Sequence, residues 1–147
     1  MNRFFITILS VLFFSFAASG QKGSTKMKSA KITRKNKVDS EGDSSVVYYG
    51  IASYYADKFT GRKTATGASY SHSGNTAACN ILPLGTWVQV TNLSNGRSLI
   101  VQVNDRLHPK NKRLVDMTKS GAEALGYVEN GVARVKLEVL ANKKSKL

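Results

Sequence analysis

Asp105 and Arg106 end a run, LIVQVN, in which Leu99, Val101 and Val103 alternate with Ile100, Gln102 and Asn104. That alternation predicts a strand with one buried face. A strand that closes on Asp-Arg carries a carboxylate to the rim of the core that holds it. Such a carboxylate can exchange a proton with a ligand lying in a cleft. Asp105 is therefore the candidate catalytic residue. Tyr54, Tyr55, Phe59 and Tyr70 could lay flat aromatic faces against the C–H face of a pyranose, although each also suits core or rim packing. With Arg106 beside the carboxylate, these are the candidate substrate-binding residues.

The elements that must position them follow from the flanking sequence. After Asp105 comes a basic loop with Arg106, His108, Lys110, Lys112 and Arg113, and then Leu114-Val115-Asp116-Met117 re-enters the core. Thr118 is placed to cap a short helix that Gly126 ends. Asp116 reads as a hydrogen-bond acceptor at the helix start or the barrel closure. Upstream, Val47 to Tyr55 has the aromatic and β-branched content of a strand, followed by a Gly-, Thr- and Lys-rich loop. Ala77 to Asn80 leads into a turn marked by Pro83 and Gly85, and Trp87 to Thr91 reads as the next strand. Asn95-Gly96 predicts a hairpin into the Leu99 strand. Val132 to Leu140 alternates again, with Ala133, Val135, Leu137 and Val139 on one face. Short strands, one hairpin and one helix within 46–140 predict a small, mostly β barrel. No repeat, heptad or Gly-rich phosphate loop is present.

Arg3, the apolar run Phe4 to Ala17 and the small residues Ala18-Ser19-Gly20 predict a secretory signal over 1–20, with cleavage near Gln21. Residues 21–45, rich in Lys, Ser, Thr, Gly and Asn, are expected to form a basic disordered linker, and 141–147 a basic tail. The net charge of +13 divides into +1 before Gln21, +4 in 21–45, +5 in 46–140 and +3 in the tail. On an exported chain this favours anionic envelope polymers or a membrane surface over nucleic acid as partners of the linker. Cys79 is the sole cysteine, so no internal disulfide forms. It stands far from the leader, so a lipidated first residue is not expected, and it reads as a small buried apolar group.

Together these segments resemble the rare lipoprotein A (RlpA) family of septal lytic transglycosylases. The resemblance rests on Gly50-Ile51-Ala52-Ser53-Tyr54-Tyr55, the stretch Phe59 to Gly67, Leu82-Pro83-Leu84-Gly85-Thr86, the stretch Val90 to Arg97, Val103-Asn104-Asp105-Arg106 and Val115-Asp116-Met117. It implies a six-stranded double-psi β-barrel with one or two short helices. It also implies cleavage of peptidoglycan glycan strands in the periplasm or cell envelope, with no cofactor and no metal. The family pattern has a Glu where this chain has Ala68, a His where it has Cys79, and the Asp kept as Asp105. Leu107-His108-Pro109 replaces the family's Gly-Pro. A lytic transglycosylase consumes no water, so one carboxyl group can act first as acid and then as base. The resemblance therefore implies a weakened enzyme using Asp105. A non-catalytic, expansin-like glycan-binding barrel is the alternative, and a cationic scaffold stands behind both. A second acid–base group within hydrogen-bond reach of Asp105 favours the enzyme, and a groove with only Asp105 and aromatics favours the binder. His72 could replace the missing imidazole, but a solvated loop position suits it better.

Overall fold

The computed structural model describes residues 31–38 and 44–140. The expected signal at 1–20 and tail at 141–147 lie outside the described residues. Seven strands run in chain order: β1 (Thr33–Val38), β2 (Ser44–Tyr54), β3 (Thr76–Ala78), β4 (Trp87–Asn92), β5 (Ser98–Asp105), β6 (Val115–Met117) and β7 (Ala133–Val139). One helix, α1 (Lys119–Ala124), precedes β7, and a 3-10 turn spans Asp57–Phe59. The sheet order is β1-β2-β6-β3-β5-β4-β7, and β7 pairs back onto β2. That last pairing closes β2, β6, β3, β5, β4 and β7 into the six-stranded barrel expected from the sequence. Two parallel pairs, β2 with β6 and β3 with β5, lie among antiparallel neighbours and make the double-psi crossing.

The periodic strands form where alternation predicts them. Val101 and Val103 of β5 are fully buried while Ile100 is 47% exposed. In β7, Ala133, Val135 and Leu137 face inward to meet Val88, Val90 and Val115. The Thr118 hydroxyl accepts from the Gly121 N–H at 3.1 Å and caps α1, and Gly126 ends the turn at φ +71°. The Asn95-Gly96 signal marks a hairpin, but its loop is longer than two residues: the Asn92 N–H donates to the Arg97 carbonyl at 2.8 Å. Asn92 and Asn95 both donate their side-chain amides to the Leu125 carbonyl, at 2.9 and 3.0 Å, so the hairpin also caps the end of the helix.

One expectation requires correction. Within the segment read as a disordered linker, Thr33–Val38 forms β1, antiparallel to the first half of β2 from Thr33↔Tyr49 to Val38↔Ser44. A barrel-edge strand needs no apolar face, because the backbone ladder holds it and charged side chains suit its free edge. Lys35 Nζ also lies 5.6 Å from the centre of the Tyr49 ring, a cation–π distance. Residues 21–30 and 39–43 lie outside the described residues.

Candidate functional site

The end of β5 holds Asp105 in a network of donors. Its Oδ1 accepts the backbone N–H groups of Ala65 (2.9 Å) and Arg106 (2.8 Å), and its Oδ2 accepts the Tyr55 hydroxyl (2.8 Å). The Ala65 donor belongs to a tight turn, in which the Gly67 N–H reaches the Thr64 carbonyl at 2.9 Å. The Thr66 N–H ties that turn to the Asn104 carbonyl at 3.2 Å, so the loop is fastened to the end of β5. Backbone N–H groups cannot accept, which leaves Oδ2 as the only oxygen of the carboxylate whose known partner can reverse its role. Burial, then the hydrogen bond to Asp105, pushes the Tyr55 phenol well above its ordinary value of 10.0, so it stays protonated.

Asp105 opens onto a groove of about 550 Å³. Every candidate substrate-binding residue, Tyr54, Tyr55, Phe59, Tyr70 and Arg106, lines it. Tyr55 is the centre of the aromatic wall, 4.4 Å from Tyr70 and 5.7 Å from Phe59 between ring centres. Tyr70 is only 5% exposed, and burial pushes its phenol up to about 12. The Tyr54 hydroxyl donates to the Val128 carbonyl at 3.2 Å. The Arg106 guanidinium donates to the Cys79 and Leu82 carbonyls, so it braces the loop after β3 and meets Asp105 through its backbone N–H.

The two substituted positions offer no acid–base group. Ala68 is exposed and bonds through its carbonyl to Thr64. Cys79 is fully buried within the core, and burial raises its thiol pKa, so it remains a neutral packing group. His72 does not fill the vacancy: its Nδ1 lies 2.9 Å from the Tyr70 hydroxyl and its Nε2 3.2 Å from Asp57 Oδ1.

The structure adds residues that the sequence left unassigned to the groove. Ala78 pairs with Asp105 across β5 and with Asp116 across β6. The two acidic residues therefore stand on the strands either side of β3, two strand spacings or about 10 Å apart across the sheet. Asp116 is 8% exposed; its Oδ1 accepts the Ser53 hydroxyl at 2.5 Å and pairs with Arg113 Nε at 3.0 Å. Its Oδ2 accepts Arg113 Nη2 at 3.1 Å. Ser53 is its register partner on β2, so Asp116 joins β2 to β6, and its charge is balanced. Lys58, Arg62, Lys63 and His108 also line the groove. The Lys58 and Arg62 charges sit 5.4 and 5.5 Å from the Phe59 ring centre. Spacing alone could not assign them, because only the folded loop brings them to Asp105.

The lytic transglycolase family model matches residues 47–137, which take in all or most of each of the six barrel strands. The chain belongs to this family. Among curated relatives, the endolytic peptidoglycan transglycosylase RlpA of Pseudomonas aeruginosa is 51% identical over 89 residues, covering 60% of this chain and 26% of that protein. RlpA of Neisseria meningitidis is 41% identical over 115 residues, covering 78% of this chain and 46% of its own. A probable RlpA of a Nostoc species is 46% identical over 95 residues, covering 63% of this chain and 26% of its own. The chain thus spans between a quarter and a half of the length of these relatives. Among solved structures, a Streptomyces papain inhibitor shares the fold with TM-score 0.53 and 23% identity, covering 65% of this chain and 94% of its own.

Proposed function

We propose that this family member is an endolytic peptidoglycan transglycosylase that works in the cell envelope with Asp105 as its single acid and base. The observation that carries the reading is the asymmetric hold on Asp105: two fixed N–H donors on Oδ1 and the reversible Tyr55 hydroxyl on Oδ2. In the first step, a proton on Oδ2 passes to the oxygen linking N-acetylmuramic acid to the next N-acetylglucosamine, and the C1–O bond breaks. The muramic C6 hydroxyl attacks C1, and its proton returns to the Asp105 carboxylate. The products are a free N-acetylglucosamine end and a 1,6-anhydromuramic end, with no water consumed. The Tyr55 hydroxyl donates to the carboxylate and can accept from the carboxylic acid, so it supports both halves of the cycle.

The aromatic wall suits the C–H faces of the sugars, and the cations around it suit their carboxylates. The names of the RlpA relatives support the same substrate. The leader fits export without lipidation, and the basic segments at 21–45 and 141–147 suit anionic envelope polymers or a membrane surface. A non-catalytic glycan-binding barrel is the second reading, favoured by the loss of acid–base groups at Ala68 and Cys79 and by a groove in which, among the described residues, a tyrosine is the one side chain bonded to the Asp105 carboxylate.

Incubation with peptide-free glycan strands, followed by mass spectrometry, separates the two. The enzyme releases anhydromuramic ends. Asp105→Asn keeps the shape but cannot transfer the proton, and its rate is expected to fall about a hundred- to ten-thousand-fold with strand binding retained. Binding without any anhydromuramic product from the unaltered protein establishes the binding barrel instead. Equal turnover by both proteins removes Asp105 from the mechanism.

A further inference from the structure

A second cleft, of about 430 Å³, adjoins the Asp105 groove and shares Asn111 and Arg113 with it. Its far wall is Lys31 and Ile32, which lead into β1 and precede the family-matched barrel at 47–137. The wall is anchored: Ile32 is half-buried and packs against the core, and β1 is laddered to β2 over six residue pairs. Ile81, 40% exposed, also lines the cleft.

The cleft holds three cations, Lys31, Lys112 and Arg113, and no acidic residue lines it. Arg113 is already paired with Asp116. Lys31 and Lys112 are exposed and have no ion-pair partner among the described residues. At the junction, Asn111 Oδ1 accepts the Arg113 N–H at 3.0 Å, which leaves its amide donors for a ligand passing between the clefts. Asn80 is engaged by both backbone groups of Leu107 and serves only to hold the loop.

We infer that this second cleft is an extension subsite of the glycan groove. It takes an N-acetylmuramic acid farther along the same strand and reads its lactyl carboxylate through Lys31 and Lys112. Ile32 and Ile81 meet the sugar's apolar face. The occupant follows from continuity with the groove and from charge: a peptide-free muramyl residue carries one carboxylate on an otherwise neutral sugar. This inference rests on the glycan reading above.

Binding is measured on the full chain carrying Asp105→Asn, so that strands are not cut. The ligands are peptide-free strands and the same strands with their lactyl carboxylates converted to methylamides. The expected result is about five- to tenfold tighter binding of the free carboxylates, weakening as salt is raised. Lys31→Glu with Lys112→Glu erases that difference, and Lys31→Gln with Lys112→Gln reduces it. Equal affinity for the two ligands, or a difference that both double variants leave intact, overturns the subsite. Tighter binding of peptide-bearing strands than of peptide-free ones moves the carboxylate to the stem peptide and overturns the assignment. Anhydromuramic release by the unaltered protein is scored separately, so failure of the catalytic reading is distinguishable from failure of the subsite.

Discussion

At the scale of single residues, Asp105 depends on what its neighbours can give and take. Two N–H donors fix one oxygen, and Tyr55 attends the other at 2.8 Å. Tyr55→Phe keeps the ring against Tyr70 and removes only that hydroxyl. A hydrogen bond to a charged group contributes roughly 1.5–3 kcal/mol, so kcat on glycan strands is expected to fall about ten- to a hundredfold with KM nearly unchanged. Initial rates across strand concentrations check this, and an unchanged kcat would remove the hydroxyl from the mechanism. Asp105 itself was legible in the sequence because a periodic strand ending on a carboxylate leaves little doubt where the side chain emerges. The Tyr55 bond to Asp105 was not legible, since a tyrosine at that position serves sugar stacking equally well. The burial of Cys79 was legible, since a lone thiol reads as a small apolar group, and it shares the core with Leu82, Val103 and Met117. Arg106 stands where the sequence puts it, yet its guanidinium serves the Cys79 and Leu82 carbonyls, acceptors that no spacing rule names.

At the scale of elements, strands with a buried face could be read and strands without one could not. β5 and β7 follow their alternation, and Thr118 and Gly126 bracket α1 as capping chemistry requires. β1 has no apolar stripe to betray it, and β3, at three residues, is too short to show a period. The hairpin loop outgrew its Asn-Gly signal because Asn92 and Asn95 are both used on the Leu125 carbonyl. Gly50 shows how closely β2 approaches the segment leading into β6. A Cβ placed there would lie 2.6 Å from the Cβ of Leu114, which is itself 1% exposed. Neither strand can yield without opening the barrel, so Gly50→Ala is expected to cost about 1–3 kcal/mol. For a domain of this size that lowers Tm by roughly 4–8 °C per kcal/mol, readable by calorimetry. Gly74, whose nearest neighbour would be 3.6 Å away, is the matched control for which little change is expected.

At the scale of the whole molecule, the barrel encloses protons that the unfolded chain would release. Burial is the leading cause in each case: it raises the phenols of Tyr55, Tyr70 and Tyr127 above 10.0 and the thiol of Cys79 above 9.0. A folded state that binds a proton more tightly than the unfolded chain keeps its full contribution below the unfolded pKa. It loses that contribution as pH climbs toward the folded value. Stability is therefore expected to decline from about pH 9 upward, first through the thiol and then through the phenols. Tyr127 is the sharpest case, at 1% exposure with its hydroxyl donating to the Ser53 carbonyl at 2.9 Å. A phenolate cannot make that bond, so its ionisation forfeits the contact as well as the burial. One such group steepens the decline by up to about 1.4 kcal/mol per pH unit once the unfolded tyrosine has titrated. Lysine titration in the same range relieves the self-repulsion of a chain at +13, but it acts alike on the wild type and on Tyr127→Phe. The difference between them isolates the phenol. Tyr127→Phe should be less stable near neutrality for want of the hydrogen bond, and its urea midpoint should fall less steeply than that of the wild type above about pH 10. Parallel curves for the two proteins would mean that Tyr127 ionises as readily folded as unfolded, and that the barrel interior is wetter than its packing implies.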